Sequence, residues 1–285
     1  MKLALLYTII SPENKMLLES AAKQGVELEK VQDSTLTMEI TSKPDGNIEF
    51  DGILQRSSSF ARTLYSSFYF EERGAFVCNP YKAHHLCGDK YLASILLGKA
   101  GVPTPKTFGA FTPEAAKAAV EKLGFPVVMK PVFGSWARLV HKLNDKEALD
   151  AELESREEMG HSFQKIYYLQ EHVDKPGRDM RVFVVGGECI GAIYRTATEK
   201  SGWITNTGRG GTAANCPVTS EIRELALKAA GVFGEGIYGV DMMESKNGLT
   251  VHEVNHTTEF RNSIEPTGVN IPGKMIEYFV RKAKR

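Results

Sequence analysis

Hydrophobic and polar positions alternate between two periods along the first third of the chain. The apolar run at residues 2–8 (KLALLYT) predicts a buried strand. Ser11-Pro12-Glu13 then supplies an N-cap, a proline at the first helical position and an early acid, so a helix begins there and stops at Gly25. VELEKV predicts a second strand, TSKPDGN a turn, and DGILQR at 51–56 a third strand. A helix rich in aromatics (Phe60, Tyr65, Phe68, Phe70) ends near Gly74, before AFVCN. Strands alternating with helices predict a small parallel α/β domain over residues 1–88. No GxGxxG follows the first strand, which disfavours dinucleotide binding.

The middle third opens with a helix from Asp89 to Gly101 and the loop VPTPKTF. Thr112-Pro113-Glu114 caps an alanine-rich helix that closes at Gly124. FPVVMKP is a short buried strand carrying a lysine, VFGSWARLV a turn, KEALDAELESREEMG a solvent-facing helix, and IYYLQEHV a strand rich in β-formers. The last third reads as antiparallel. DMRVFVV and ECIGAIYR form a hairpin across Gly186-Gly187. A helix near 220–233, a second hairpin and an amphipathic helix (MIEYFVRKAKR) complete the chain. The expectation is an α/β (α+β) protein of three lobes, 1–88, 89–173 and 174–285, the last two sharing a cleft.

Charge narrows the function. Lys+Arg and Asp+Glu both number 35, so the basic excess of a non-specific nucleic-acid binder is missing. No apolar run approaches the ~20 residues that span a bilayer. The N-terminal MKLALLYTIISPEN has one lysine, a short apolar stretch and no small-residue cleavage site, and so reads as a strand rather than a signal peptide. The four cysteines lack CxxC spacing, so neither a zinc cluster nor a redox pair is suggested and a reducing cytoplasm is expected.

The most informative segment is GVDMMESKNGLTVHEVN. Asn247-Gly248 marks a hairpin turn. Pairing symmetric about residue 247 sets Met243 opposite Val251 and Asp241 opposite Glu253, and period two puts Glu253 and Asn255 on one face. Two opposed acids repel. A divalent cation between them relieves the repulsion, and two carboxylates with one amide suit Mg²⁺. The alternative is a pair of unrelated surface acids.

Lys130 ends an otherwise apolar strand, a costly place for an ammonium unless it meets an anion. The FGSW turn after it exposes backbone N–H groups, completing a phosphate cradle; a snorkelling strand-end lysine fits the same pattern. The segment is not GxxxxGK[ST], which excludes a P-loop NTPase. Lys90 starts a helix and aims charge at a phosphate, though exposed first-turn lysines are common. QEHV at 170–173 precedes Lys175-Pro176-Gly177 as a hinge would; its backbone suits an adenine edge and Glu171 a ribose hydroxyl, and a plain strand end reads alike. Arg178, Arg181, Arg195, Arg209 and Arg261 recur in the last third, Arg209 within the glycine-rich TNTGRGG beside Asn206. Guanidinium forks fit carboxylates and phosphates, and two or more are expected in the site. Trp136 and Trp203 lie in glycine-containing loops and either cover ligand or pack. Cys78 and Cys87 read as small core residues, and His84-His85, without acid partner or ligand spacing, as solvated or helix-capping.

In order, Lys90, VMKP with Lys130, GSWARLV, QEHV, GRDMR, Tyr194-Arg195, TNTGRGG, VDMME and HEVN resemble the ATP-grasp carboxylate–amine ligases of the RimK-like group, across the whole chain. WITNTGRGG, EVNHTTEFRNS and TGVNIPG narrow the resemblance to LysX-type ligases, which join α-aminoadipate to the C-terminal Glu side chain of a small acidic carrier protein, LysW, in lysine biosynthesis. Relatives that use glutamate for arginine synthesis usually carry Gly-Phe where this chain has Asn262-Ser263. Ala137 departs from the glycine common in the family's phosphate loop.

The resemblance implies an ATP-grasp fold behind a pre-ATP-grasp domain, and ligation through an acyl phosphate. It implies ATP, two Mg²⁺ ions for which Mn²⁺ substitutes, a LysW-type partner, α-aminoadipate or glutamate, and a homo-oligomer without nucleic-acid or membrane partners. By the same resemblance, Lys90 and Lys130 contact nucleotide phosphates under the loop of Gly134, Ser135, Trp136, Ala137, Arg138, Leu139 and Val140. Gln170, Glu171, His172 and Val173 hold adenine and ribose, with Asp179 and Arg181 lining the cleft. Asp241, Glu253 and Asn255 bind Mg²⁺. Arg195 and Asn206, with Lys130, serve the transferred phosphoryl group, and Arg195, Asn206, Arg209, Asn262 and Ser263 meet the substrates. The alternatives are a glutamate or dual-specificity LysW ligase, a ligase adding glutamate to another protein, and a non-catalytic nucleotide-binding module. Retention of all three candidate metal ligands argues against the last.

Overall fold

In a computed structural model, residues 1–41 and 49–284 are described. The apolar start forms β1 (Leu3–Tyr7), buried over its first four residues. Ser11 Oγ accepts from the Asn14 N–H and opens α1 (Pro12–Lys23), and Gly25 ends the turn at φ +69°. β2 (Glu29–Gln32), β3 (Gly52–Arg56), α2 (Phe60–Glu72) and β4 (Phe76–Cys78) complete a parallel sheet in the order β2-β1-β3-β4, as the alternation predicted. Beyond Thr41, the turn expected at 41–47 lies outside the described residues. A further helix, α3 (Tyr81–Gly88), was not foreseen: Pro80 precedes it and no side chain caps it, so the usual start signal is missing.

Next come α4 (Lys90–Lys99), β5 (Thr107–Ala110), α5 (Pro113–Leu123), β6 (Val127–Lys130), β7 (His141–Leu143), α6 (Lys146–Met159) and β8 (Tyr167–Glu171). Their sheet is antiparallel, in the order β5-β8-β6-β7. Ala116, Val120, Leu149 and Leu153 of α5 and α6 cover Val127, Met129 and Leu169 on one face. Alternation leaves Lys130, Tyr168 and Gln170 on the other. α4 falls in the middle third of the sequence, yet its Ala93 and Leu97 join the core of the following lobe.

That lobe contains β9 (Arg178–Val185), β10 (Glu188–Thr196), β11 (Thr212–Asn215), α7 (Ser220–Gly231), β12 (Ile237–Ser245), β13 (Gly248–Asn255), α8 (Ile264–Thr267) and α9 (Ile271–Ala283). The antiparallel order is β11-β10-β9-β12-β13. Gly186 and Gly187 turn the first hairpin at φ +59° and +82°, as a two-residue loop of this hand requires. The sheet is buried on both faces. Met180, Val182, Val240 and Met242 meet α3, α4 and α7, while Phe183, Val185 and Ile193 meet β1, α1 and α9. Buried Asn79 clamps the N-terminal domain to this sheet: Nδ2 donates to the Ile237 and His256 carbonyls at 2.7 and 2.8 Å, and Oδ1 accepts from the Ile237 N–H at 2.7 Å. Arg56 adds a bond to the Thr258 carbonyl at 3.1 Å. The segment at residues 256–258 is therefore held at two points by the N-terminal domain.

Candidate active site

The second hairpin turns through Lys246-Asn247, so Ser245 pairs with Gly248 and Met243 with Thr250, one step from the expected Met243–Val251 register. A bulge at His252 restores the step, and Asp241 faces Glu253 as expected. Asn255 Nδ2 donates to Asp241 Oδ2 at 3.2 Å, so all three candidate metal ligands converge.

Cations hold this acidic spot together. Arg181 forks Asp241, Nε to Oδ1 at 2.8 Å and Nη2 to Oδ2 at 2.7 Å. Arg195 joins two acids, donating Nε to Asp179 at 2.7 Å and placing Nη2 3.1 Å from Asp241. Burial opposes charge on Asp241, but Arg181 and Arg195 outweigh it and hold its carboxyl well below the usual carboxylate range. Lys90 does the same for Glu253 from 3.1 Å. Thr205 and Lys175 complete the surroundings of Asp179, the hydroxyl donating to its Oδ2 and the ammonium 3.6 Å away. Among the described residues no three His, Cys, Asp or Glu side chains are arranged so as to hold a metal ion between them. The candidate metal set rests on two carboxylates and an amide, an all-oxygen donor set that suits Mg²⁺. Glu253 and Asn255 are half-buried, open to an ion from the cleft, while Asp241 is shared with its arginines.

Asp89 caps α4 by accepting from the Tyr91 and Leu92 N–H groups, which places Lys90 at the helix start. Lys90 Nζ also donates to the Gly134 carbonyl at 2.7 Å, tying the glycine loop to Glu253. In that loop Trp136, Ala137 and Leu139 all have positive φ (+63°, +51°, +56°), a conformation costing an L-residue ~1–2 kcal/mol. The alanine in place of glycine thus stands where glycine is favoured. Arg138 lies over the Trp136 ring at 5.3 Å, and Ser135, Trp136 and Leu139 are exposed, with Ala137 and Val140 half-buried. Lys130 is buried and donates to Gln170 Oε1 at 2.7 Å. Burial, more than the neighbouring charges, pulls its ammonium down to about 8.

Other expected residues are engaged elsewhere. Glu171 Oε1 accepts from the Lys106 N–H at 2.8 Å, so that oxygen is taken within the β5–β8 edge. His172 lies 6.2 Å from the Trp203 ring, and Val173 is half-buried beside it in sequence. Asn206 Oδ1 accepts from the Gly208 N–H at 2.8 Å, shaping its own loop. Of the five arginines, Arg181 and Arg195 enter the cluster; Arg178 pairs with Glu244, and Arg209 and Arg261 are exposed. Asn262 is exposed and Ser263 buried, on a short turn after buried Phe260.

Two histidines correct the sequence reading. His84 is fully buried rather than solvated, with its Nδ1 2.7 Å from His256 Nδ1; His85 stacks on Tyr81. Lys175 and His252 were not singled out for the cluster. His252 reaches it through the bulge, 3.9 Å from Asp179, and burial with the charge of Lys130 pushes its imidazole down to about 4. Pattern alone gives no sign of a bulge there.

Comparison with known proteins supplies the family. Residues 87–279 match the RimK-like ATP-grasp domain, and residues 3–86 the LysX preATP-grasp domain. The chain belongs to the RimK-like ATP-grasp ligases. It is 36% identical over 266 residues to the alpha-aminoadipate–LysW ligase LysX of Saccharolobus solfataricus, covering 93% of this chain and 96% of that one. It is 32% identical over 281 residues to the glutamate–LysW ligase ArgX of Sulfurisphaera tokodaii, covering 98% of each. The RimK-domain ATP-grasp protein of Sphaerobacter thermophilus superposes with a TM-score of 0.83 at 24% identity, over 98% of this chain and all of that one. The matched ATP-grasp domain thus contains both sheets that carry Lys130 and Asp241, and the enzyme is an ATP-dependent carboxylate–amine ligase. No helix among the described residues is long and apolar enough to cross a membrane.

Proposed function

We propose that this ligase joins the α-amino group of α-aminoadipate to the C-terminal Glu side-chain carboxylate of a LysW-type carrier protein, in lysine biosynthesis. What carries the reading is the combination of a LysX-type N-terminal domain with 36% identity to a LysX enzyme. Asn262-Ser263, in the segment after the candidate metal strand, supports α-aminoadipate over glutamate. Glutamate as substrate, alone or in addition, is the second reading, favoured by 32% identity over nearly the whole chain to an ArgX enzyme. The four free cysteines suit a reducing cytoplasm.

In this reading Lys90 and Lys130 bind triphosphate oxygens while the 134–140 loop lends backbone N–H groups. Gln170 to Val173 line the nucleoside end, with Asp179 and Arg181 along the cleft. Asp241, Glu253 and Asn255 hold Mg²⁺, which supplies neutralisation of phosphate charge when bound. Arg195, kept in place by Asp179, spreads charge on the phosphoryl group as it passes from ATP to the carrier carboxylate. The amine then attacks the resulting acyl phosphate, the C–O bond to phosphate breaks, and an amide forms. Asn206 and the 262–263 turn orient the entering amino acid.

The experiment measures ADP release with carrier plus each amino acid, and product mass. Carrier-dependent release with α-aminoadipate as the faster acceptor is expected. Release faster with glutamate moves the enzyme to the second reading, and none with either removes the carrier assignment.

A further inference from the structure

We infer that Gln170 is a positioning residue for Lys130, locked by Thr107 and Tyr168 so that its carbonyl oxygen, and never its amide N–H, faces the lysine. The inference rests on the reading of Lys130 as a phosphate-binding lysine, and deepens it.

Gln170 and Tyr168 lie two residues apart on β8, on the face shared with Lys130 of β6, whose cross-strand partner is Tyr168. Gln170 is buried, and its Oε1 accepts from Lys130 Nζ at 2.7 Å. A glutamine presents two ends of similar shape, one attractive and one repulsive to an ammonium. The far end decides which is used. Nε2 donates to Thr107 Oγ1 at 3.0 Å and to Tyr168 OH at 3.1 Å. Thr107 spends its own proton on the Pro105 carbonyl at 2.9 Å, so toward Gln170 it can only accept. Tyr168 OH meets Ser94 Oγ at 2.7 Å, a contact in which either oxygen can donate, so Tyr168 accepts from the amide without dictating its direction. The orientation of the glutamine is therefore fixed by the Pro105 carbonyl, in the loop before β5.

An amide suits this place better than a carboxylate. A buried carboxylate would pair with Lys130 and compete with an incoming anion. The neutral oxygen gives the ammonium one hydrogen bond and leaves its charge uncompensated. Glu253 and Asp241, the acids that act on Lys130 through space, are themselves engaged, by Lys90 and by Arg181 with Arg195. The relay also ends on α4, where Ser94 sits one turn beyond Lys90. Both lysines are thus referred to one hydrogen-bonded frame.

Thr107→Val, Tyr168→Phe and Gln170→Glu test this in the full-length enzyme, read by nucleotide affinity in calorimetry and by the ¹⁵Nζ titration of Lys130. Removing Thr107 as obligatory acceptor frees the amide to turn, and ATP affinity falls about tenfold, the worth of one charge-assisted bond. Gln170→Glu moves the Lys130 titration to higher pH and weakens ATP binding; Tyr168→Phe gives the smaller loss, since Thr107 remains. An unshifted Lys130 titration in Gln170→Glu, or unchanged affinity in Thr107→Val, overturns the inference. The broader reading fails separately, if Lys130→Met binds ATP as the parent does while the parent's Lys130 titration still responds to Gln170→Glu.

Discussion

Arg181 grips both carboxylate oxygens of Asp241, at 2.8 and 2.7 Å, deep in the C-terminal sheet. A metal ion at Asp241 must therefore share that acid with a guanidinium, and the acid depends on the arginine when no metal is bound. Arg181→Leu leaves Asp241 with Arg195 and Asn255 only. Breaking a buried pair from one side typically costs about 3–5 kcal/mol, and a loss toward the lower end, about 3 kcal/mol in urea unfolding, is expected. Because the Asp241 pKa is lowered in the fold, the pair's stabilisation is complete above the ordinary Asp pKa of about 4 and is lost as pH falls through the folded value. The variant should accordingly show a shallower acid limb than the parent.

Glu253→Gln removes one charge from the candidate metal set without changing side-chain volume. Turnover should fall on the order of 100-fold or more, while the melting temperature stays close to that of the parent. ADP release followed across a Mg²⁺ titration checks it. Parent-like turnover at saturating Mg²⁺ would remove Glu253 from the metal site.

Much of this site was legible because hairpin geometry is local. Asn247-Gly248 announces the turn, and the opposition of Asp241 and Glu253 follows from period two. The agreement conceals two steps that cancel: the turn is one residue shorter than the Lys246-Asn247-Gly248 turn expected, and the bulge at His252 compensates. Bulges answer to tertiary packing and leave no periodic trace. The parallel first sheet was legible from alternation and caps, whereas α3 lacks a capping side chain. Long-range choices stayed hidden. Nothing in the spacing of the arginines says that Arg181 and Arg195 turn inward while Arg209 stays in solvent, since the acids that select them lie up to 60 residues away.

His84 illustrates the same limit, and predicts an acid limb of its own. Burial, then the charge of His256, hold its imidazole well below the ordinary value. Below about pH 6.5 the unfolded chain takes up a proton that the folded chain refuses. Stability is therefore full above that pH and falls by about 1.4 kcal/mol per pH unit below it. Urea midpoints at pH 7 and pH 5 should differ less in His84→Gln, which keeps an amide donor for His256. Equal differences in the two proteins would count against a buried neutral His84.

Lys130 adds a dependence at the alkaline end. Its ammonium is lowered to about 8, so the charged form that attracts phosphate is lost as pH rises through that value. The dissociation constant for ATP should rise between pH 7.5 and 9, in a range where ATP itself does not titrate. Lys130→Met should bind more weakly at pH 7 and show a flat profile above it. A parent profile as flat as the variant's would return Lys130 to a structural role.

The choice of amino acid turns on a single methylene, since α-aminoadipate is that much longer than glutamate. A methylene is worth only ~1–3 kcal/mol in discrimination, so apolar fit alone separates the two poorly. A polar group placed where the longer side chain ends separates them better. Asn262 and Ser263 offer an amide and a hydroxyl on the turn that follows Phe260, where the Ser263 N–H already donates to the Phe260 carbonyl. Their placements differ: Asn262 is exposed, and Ser263 is buried at 2%. A phenylalanine at 263 has no free surface to take and must push into neighbouring space. The double change Asn262→Gly with Ser263→Phe removes two side-chain donors and adds that ring, and the kcat/KM ratio of α-aminoadipate to glutamate should fall by about tenfold or more. Measuring both amino acids in parent and double variant, with overall activity as the control for folding, decides it. A ratio that stays put while activity is retained would place the selection of chain length elsewhere in the cleft.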